Sequence, residues 1–270
     1  MNCVRLFALL AGSCCTASLL FGQLAISTHS GLIQFTSGSV YLQDKLIRKT
    51  ATNLPDVKKG EELRTAEDSN AEILLTPGVF LRLGSQSSVR MDANALSNTR
   101  LTLLTGTAMI EADELLDGNA VTITVGNKPI EFLKPGLFRL SAEPASVAAI
   151  KGEALVAGSD NITVKKGKEL ALNDAVPQLG KFHLNKKDDL FLFSDARSAD
   201  SAYATGVASH SLAGSGFSCT GSSWYLMGGV GMYSYVPCNG IFSSPFGYAF
   251  YGLDYGMMYG GPFYYVPPAA

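Results

Sequence analysis

The sequence is poor in the residues that most often carry acid–base or metal chemistry. It has three histidines, His29, His183 and His210, and they lie far apart in the chain. Each falls near a predicted domain edge or loop, where a hydrated surface position is the usual explanation. The sequence also lacks a G-x-S-x-G nucleophile motif and a glycine-rich phosphate loop. We therefore expect no catalytic residue, no metal site and no bound cofactor.

The sequence also lacks a large excess of either positive or negative charge. Lysine and arginine total 21 against 23 aspartate and glutamate, a formal net charge of -2. This balance gives none of the basic excess that binding to nucleic-acid phosphates requires. No apolar run beyond Ile26 is long enough to span a bilayer. We expect no nucleic-acid partner, and membrane contact only through the N-terminal segment if that segment stays uncleaved.

The acidic residues cluster at one place. Glu111, Asp113 and Glu114 form the densest group of carboxylates in the sequence. On a strand, Glu111 and Asp113 would project from one face, as the paired acids of a glycosidase might. The run from Asp113 to Gly118, however, is typical of a hydrated hairpin loop. The sequence favours the loop over an acid pair.

The N-terminal segment has the pattern of a secretory signal peptide. Arg5 is the only charged side chain before Ile26, and an apolar run with small residues follows it. We expect a signal peptide over residues 1–25 and export to the periplasm, the outer membrane or the cell exterior. Two alternatives remain open: an uncleaved membrane anchor, and lipid attachment at Cys14.

Few cysteines remain outside that segment. Of the five in the sequence, only Cys219 and Cys238 lie beyond residue 25, with 18 residues between them. An even pair in an oxidising compartment favours a disulfide over a thiol nucleophile or a metal site. We expect Cys219 and Cys238 to form a disulfide.

The sequence is rich in short alternating segments separated by turns. Apolar residues alternate in Ala71–Leu75 and Val79–Leu83, and Pro77-Gly78 between them suits the centre of a type II turn. Further strands are predicted at Ser88–Asp92, Arg100–Leu104, Thr107–Ala112, Ala120–Val125, Pro129–Leu133, Leu137–Ala142, Val147–Lys151, Ala154–Ala157, Ile162–Lys165 and Glu169–Leu172. Glycine-containing turns separate them, among them Pro135-Gly136 and Gly152. The pattern predicts an all-β domain over residues 28–175.

Parts of this domain repeat. Val57–Leu63 reads VKKGEEL and recurs at Val164–Leu170 as VKKGKEL. Repetition in strand-sized units favours stacked short strands in a β-solenoid-like or jelly-roll-like arrangement. The sequence leaves both closures open.

The character of the chain changes after residue 183. Asn185 is placed to cap a helix, and Leu190 and Phe193 share one face of it. A helix of roughly three to five turns is predicted within residues 183–208, packed on the β domain. Beyond Arg197, Asp200 and Asp254 are the only charged residues.

The last segment, residues 211–270, is a low-complexity tail rich in glycine, tyrosine and phenylalanine. Because ordering many glycines is costly, we expect this tail to be largely disordered. Its aromatic residues are possible contacts to sugars or to a partner protein; they are Trp224, Tyr225, Tyr233 and Tyr235. The alternative is self-association or loose contact with the chain's own β domain.

Several segments of the β domain together resemble FecR-type domains. They match, in order and spacing, a glycine turn with "L-x-T", a strand, a glycine hairpin with "V-x-L-x-x-x-S", and later strands of that family. The segments are Val57–Thr65, Ala71–Val89, Leu103–Ala112, Pro135–Leu140, Val147–Val156 and Val164–Leu170. One position departs from the pattern, because Leu137 stands where threonine is usual.

The resemblance implies a β module that contacts other envelope proteins. FecR-type regulators join a cytoplasmic anti-sigma segment and a membrane span to this module, which meets an outer-membrane transporter. Only Met1–Arg5 precede the apolar run here, so we do not expect this chain to regulate a sigma factor directly. We expect an exported, non-enzymatic protein whose module binds an envelope partner, for sensing or scaffolding. The alternatives are a structural or adhesive surface protein acting through its tail, and a carbohydrate-binding module.

Overall fold

The structure is a computed structural model of the chain. It describes residues 29–48, 55–158, 160–172, 178–183, 187–214, 221–227 and 232–258. The predicted signal peptide and Cys14 lie outside these residues. None of the helices in the described residues is both long and apolar enough to cross a membrane.

The described residues form fifteen strands of one sheet, one long helix, two hairpins and a short helix. The elements are β1 (Leu32–Ser37), β2 (Val40–Leu42), β3 (Lys45–Leu46), β4 (Glu62–Thr65), β5 (Asn70–Thr76), β6 (Val79–Leu83), β7 (Ser88–Ala95), β8 (Asn98–Thr105), β9 (Thr107–Ala112), β10 (Val121–Val125), β11 (Lys128–Ala142), β12 (Ala145–Val156), β13 (Ile162–Lys165), β14 (Lys168–Ala171), β15 (Leu179–Lys181), α1 (Asp189–Gly214), β16 (Ser223–Met227), β17 (Met232–Val236), β18 (Ile241–Ser243), β19 (Ala249–Tyr251) and α2 (Leu253–Met258).

Strands β1 to β15 form one sheet that curls into a half-barrel. Its main path is β1-β5-β6-β9-β11-β10-β8-β7-β4-β2-β3, and β12 continues it from β11 to β13, β14 and β15. The pairs are antiparallel except for β8 and β10, which run parallel. The predicted all-β class followed by a helix is confirmed. The sequence left the closure of the sheet open, and the sheet curls into a half-barrel.

The concave side of the sheet holds the main core. Alternate residues of each strand point into it, for example Ile73, Leu81 and Ile110, which are fully buried on the neighbouring strands β5, β6 and β9. The predicted Pro77-Gly78 turn connects β5 to β6 in two residues, and Gly78 has a φ of 81°. A positive φ is what the third position of a type II turn requires.

Two long strands join segments that the sequence separates by turns. β11 runs through Pro135-Gly136 and β12 runs through Gly152, so the predicted turns at these positions are wrong. The pairing of β11 with β12 shifts register between Phe132 and Phe138, which marks bulges. Bulges bend a strand without ending it, and they curl this sheet at its centre.

Gly136 lies where the backbones of β11 and β12 approach closely. A Cβ atom at this position would lie 2.2 Å from the backbone oxygen of Lys151. We expect Gly136→Ala to lower the free energy of unfolding by about 1–3 kcal/mol, because the strands must separate to admit the methyl group. Gly180→Ala is the control, since the nearest atom to a Cβ there is 3.9 Å away. Urea denaturation of the two variants gives the comparison; equal stability would contradict the packing described here.

Candidate functional site

Three neighbouring strands of the sheet are buried on both faces. In β5, β6 and β9 nearly every residue is buried, including those that point away from the core. The outward positions carry charge: Glu72, Arg82 and Glu111 are each 0% exposed. Another layer of the chain must therefore cover this face.

That layer is the C-terminal cover, which we define as α1, the hairpins β16–β17 and β18–β19, and α2. The face of α1 that is buried consists mainly of serine, alanine, threonine and glycine, so the helix lies close to its neighbours. Its hydroxyls bind the hairpins: Thr205 Oγ1 donates to the carbonyl of Tyr235 and Ser209 Oγ to that of Tyr251, each at 2.5 Å. The helix is thus tied to the hairpins as well as to the sheet.

A buried charge cluster joins the cover to the sheet. Arg82 Nε donates to Glu72 at 2.8 Å, and Arg82 Nη1 donates to Glu111. From the cover, Arg197 Nη2 donates to Glu72 at 2.8 Å and Ser198 Oγ donates to Glu111 at 2.5 Å. Two carboxylates of the sheet therefore each bind one sheet arginine and one side chain of α1.

The pKa values of Glu72 and Arg82 favour their charged forms although both side chains are buried. Burial alone would raise the pKa of Glu72, but the guanidiniums of Arg197 and Arg82 outweigh it and hold that pKa below its ordinary value. Burial alone would lower the pKa of Arg82, and the carboxylates of Glu111 and Glu72 instead raise it. Opposite charges at hydrogen-bonding distance thus stabilise the ionised forms.

Asp113 is a buried acid beside this cluster. It is 5% exposed, and its carboxylate oxygens accept no hydrogen bond from a nitrogen donor or a hydroxyl among the described residues. Burial, followed by the negative charge of Glu111 and a hydrogen bond shared with that carboxyl, raises the pKa of Asp113 well above its ordinary value, and Arg82 offsets only part of this. This environment therefore favours the protonated form of Asp113.

Aromatic contacts complete the junction. Trp224 stands edge-on to Phe80 of the sheet, with ring centroids 5.2 Å apart and planes at 80°. It also contacts Tyr235 at 5.8 Å, and the Tyr235 hydroxyl donates to Glu114. Burial, followed by the hydrogen bond to Glu114, raises the pKa of Tyr235. Edge-on aromatic pairs of this kind add stability beyond the area they bury.

The structure corrects the interpretation of the acidic run. The hydrated-loop prediction is wrong for Asp113, which is buried beneath the cover together with Glu111 of the preceding strand. They do project from the same face of the chain, and α1 and Tyr235 lie over that face. The arrangement holds the cover on the sheet through charged hydrogen bonds.

The tail also differs from the prediction. Residues 221–227 and 232–258 form two hairpins and a helix, so the prediction of a largely disordered tail is wrong for them. Trp224, Tyr225 and Tyr235 are buried and Tyr233 is half-buried. These residues pack within the cover and against the sheet. This agrees with the alternative prediction that the tail contacts the chain's own β domain. Their contact with an external partner stays a prediction.

The helix is confirmed and longer than predicted. α1 has 26 residues, and the carboxylate of Asp188 accepts a hydrogen bond from the backbone N–H of Phe191 at 3.0 Å, as an N-cap does. Asn185 lies outside the described residues. The three histidines are exposed on the described surface and take no part in the cluster.

The disulfide stays a prediction, because Cys219 lies outside the described residues. We expect the non-reduced chain to resist thiol alkylation at Cys219 and Cys238 until a reductant is added, which mass spectrometry detects. Reduction should cost about 3 kcal/mol of stability, the loop-closure value for a loop of this length. Alkylation of both thiols without reductant would contradict the prediction.

Comparison with known proteins finds weak structural similarity and no sequence match. No protein-family description matches the chain, and no curated protein matches it. Two crystal structures of a candidate anti-sigma factor from Parabacteroides distasonis are similar to part of it, at 13% and 14% identity and a TM-score of 0.38. Each similarity covers 45% of this chain and 59% of the other, so the chain spans less than two thirds of that protein. A similarity of this size supports no inference about function.

Proposed function

We propose that this chain is an exported, non-enzymatic envelope protein whose β module makes protein–protein contacts, in sensing or scaffolding. The signal-peptide pattern of residues 1–25 supports export. The segments that resemble FecR-type domains support the contact role, since they lie along the sheet: Val57–Thr65 leads through β4, Ala71–Val89 spans β5 and β6, and Leu103–Ala112 includes β9.

The observation that carries the proposal is the outer face of β5, β6 and β9. This face already binds a polypeptide, the C-terminal cover, through charged and aromatic side chains. Charged hydrogen bonds and aromatic anchors are the means by which proteins recognise one another. Glu111 and Asp113, from the densest group of acids in the sequence, are buried beneath the cover, which favours a binding role over catalysis.

An adhesive role for the tail is less favoured. Three of its four candidate contact residues, Trp224, Tyr225 and Tyr235, are buried against the chain itself. Adhesion through them would first require the cover to detach. The exposed ends of the sheet are better placed for contact, since Leu46 on β3 is 47% exposed and Leu179 on β15 is 43% exposed.

Two measurements on the full chain test the proposal. Fractionation of bacteria producing a C-terminally tagged chain should find a product shortened by the predicted 25 residues in the envelope. A variant without residues 2–26 should stay in the cytoplasm. A cytoplasmic wild-type product would contradict export.

Photo-crosslinking in the same cells tests contact. A photoreactive residue in place of Leu46 or Leu179 should give a discrete product that excess untagged chain competes away. The exposed loop position Asp117 is the control. Absence of a competed product from either edge strand would contradict a contact role for these surfaces.

A further inference from the structure

We propose that the junction between the C-terminal cover and the sheet is a proton-dependent latch, in which the cover is held while Asp113 is protonated and loosens when Asp113 ionises. The inference goes beyond the proposed function and does not depend on any partner. It concerns an equilibrium within this chain, between a docked and a detached cover.

The groups that face Asp113 come from each element packed around it. The carboxylate is Glu111 on β9, and the cation is Arg82 on β6. From the cover, Tyr235 on β17 faces it, and its hydroxyl is engaged by Glu114. No nitrogen donor or hydroxyl among the described residues hydrogen-bonds to the Asp113 carboxylate.

The two arginines of the cluster are already engaged by other carboxylates. Arg82 binds Glu72 and Glu111 from within the sheet, and Arg197 reaches Glu72 from α1. Arg197 also binds Asp200, whose side chain is 61% exposed and so keeps its hydration. Ionised Asp113 would add a further buried negative charge without a new cation. Such a charge is costly between two packed layers and harmless once the layers separate.

The direction of the effect follows from proton linkage. Detachment of the cover exposes Asp113 to water and so lowers its pKa towards the ordinary value, whereas burial in the docked state is the largest cause of the raised pKa. Between these two values the docked state binds the extra proton. Rising pH therefore weakens docking by at most about tenfold per pH unit until the raised pKa is passed.

Protonation of Glu72 limits the stability of the docked cover at low pH. Its pKa is lowered in the docked state, because Arg197 and Arg82 outweigh the effect of burial. Docking therefore weakens again as falling pH protonates Glu72, below its ordinary pKa of 4.5. The cover should be held most tightly in mildly acidic solution and more loosely as the pH rises from there.

The single tryptophan of the chain reports on the latch. Trp224 is 1% exposed and packs on Phe80, so detachment of the cover moves it into water. We would follow acrylamide quenching of its fluorescence in the full chain from roughly pH 5 to pH 9, with far-UV circular dichroism recording the sheet. Quenching should rise with pH while the circular dichroism stays constant.

Two variants complete the experiment. Asp113→Asn keeps the shape of the side chain without its titration, so quenching should stay low across the range. Asp117→Asn, in the exposed part of the same loop, should behave like the wild type. The latch is overturned if Asp113→Asn keeps the wild-type pH dependence. The wild-type titration tests the proposal even if Asp113→Asn fails to fold. If quenching does not change with pH, or rises only as the sheet unfolds, the proposal is overturned.

Discussion

Replacing Arg82 with methionine is expected to lower the free energy of unfolding by about 3–5 kcal/mol. Arg82 is 0% exposed and binds Glu72 and Glu111, which are also fully buried. Methionine fills much of the volume but leaves Glu111 buried without an arginine, and Glu72 with Arg197 alone. Breaking a buried ion pair at one partner costs more than the pair itself contributes, because a charge is left uncompensated.

Two further variants serve as a control and as a test of partial rescue. Arg90→Met removes an arginine from an exposed pair with Asp92, whose side chains are 47% and 29% exposed, and should cost less than about 1 kcal/mol. Glu111→Gln added to Arg82→Met should recover part of the loss, since it removes the stranded charge. Urea denaturation measures all three. A loss of under about 1 kcal/mol for Arg82→Met would mean that the cluster is hydrated.

Two phenylalanines on opposite faces of the sheet should respond differently to the same change. Phe80 and Phe138 are each 0% exposed, but Phe80 packs against Trp224 of the cover and Phe138 belongs to the main core. Truncation of a buried phenylalanine to alanine typically costs about 3–5 kcal/mol. In Phe80→Ala, this loss should weaken the docking of the cover. In Phe138→Ala, it should lower the stability of the whole domain.

The two outcomes can be separated by combining two probes of urea unfolding. In Phe80→Ala, exposure of Trp224 should precede loss of the β signal in circular dichroism. In Phe138→Ala, both signals should move together to lower urea concentration. Coincident transitions in Phe80→Ala, matching those of Phe138→Ala, would argue against a cover that can detach from an intact sheet.

Local signals let the sequence predict much of the β domain. The Pro77-Gly78 turn and its flanking alternation are short-range features, and the structure has the hairpin where they place it. The same reasoning wrongly predicted turns at Gly136 and Gly152, because glycine occurs in bulges as well as in turns. Only the pairing of β11 with β12, which is a long-range property, separates the two cases.

The charge cluster escaped sequence reasoning for a related reason. Glu72 and Arg82 sit at outward positions of alternating strands, which is where a one-sided sheet places hydrated residues. One signal was present: the predicted hairpin sets Glu72 directly opposite Arg82, a cross-strand ion pair. Their burial depends on Arg197, which is 125 residues from Glu72 in sequence, and no local pattern indicates that contact.

The tail was misjudged because its composition was weighed without its partner surface. Glycine raises the cost of ordering, and in isolation that cost argues for disorder. The outer face supplies Leu74 and Phe80, against which Trp224, Tyr235 and Phe250 are buried. Burial of large aromatic side chains offsets the entropy that the glycines lose.

Hydrogen–deuterium exchange of the full chain, resolved by peptide, tests most directly whether the C-terminal segment is a docked layer. The account predicts slow exchange in β16–β17 and β18–β19, and in α1, at mildly acidic pH. Asp113→Asn should extend this protection to higher pH. Complete exchange of residues 221–258 within seconds, while β5, β6 and β9 stay protected, would contradict the cover and the latch that depends on it.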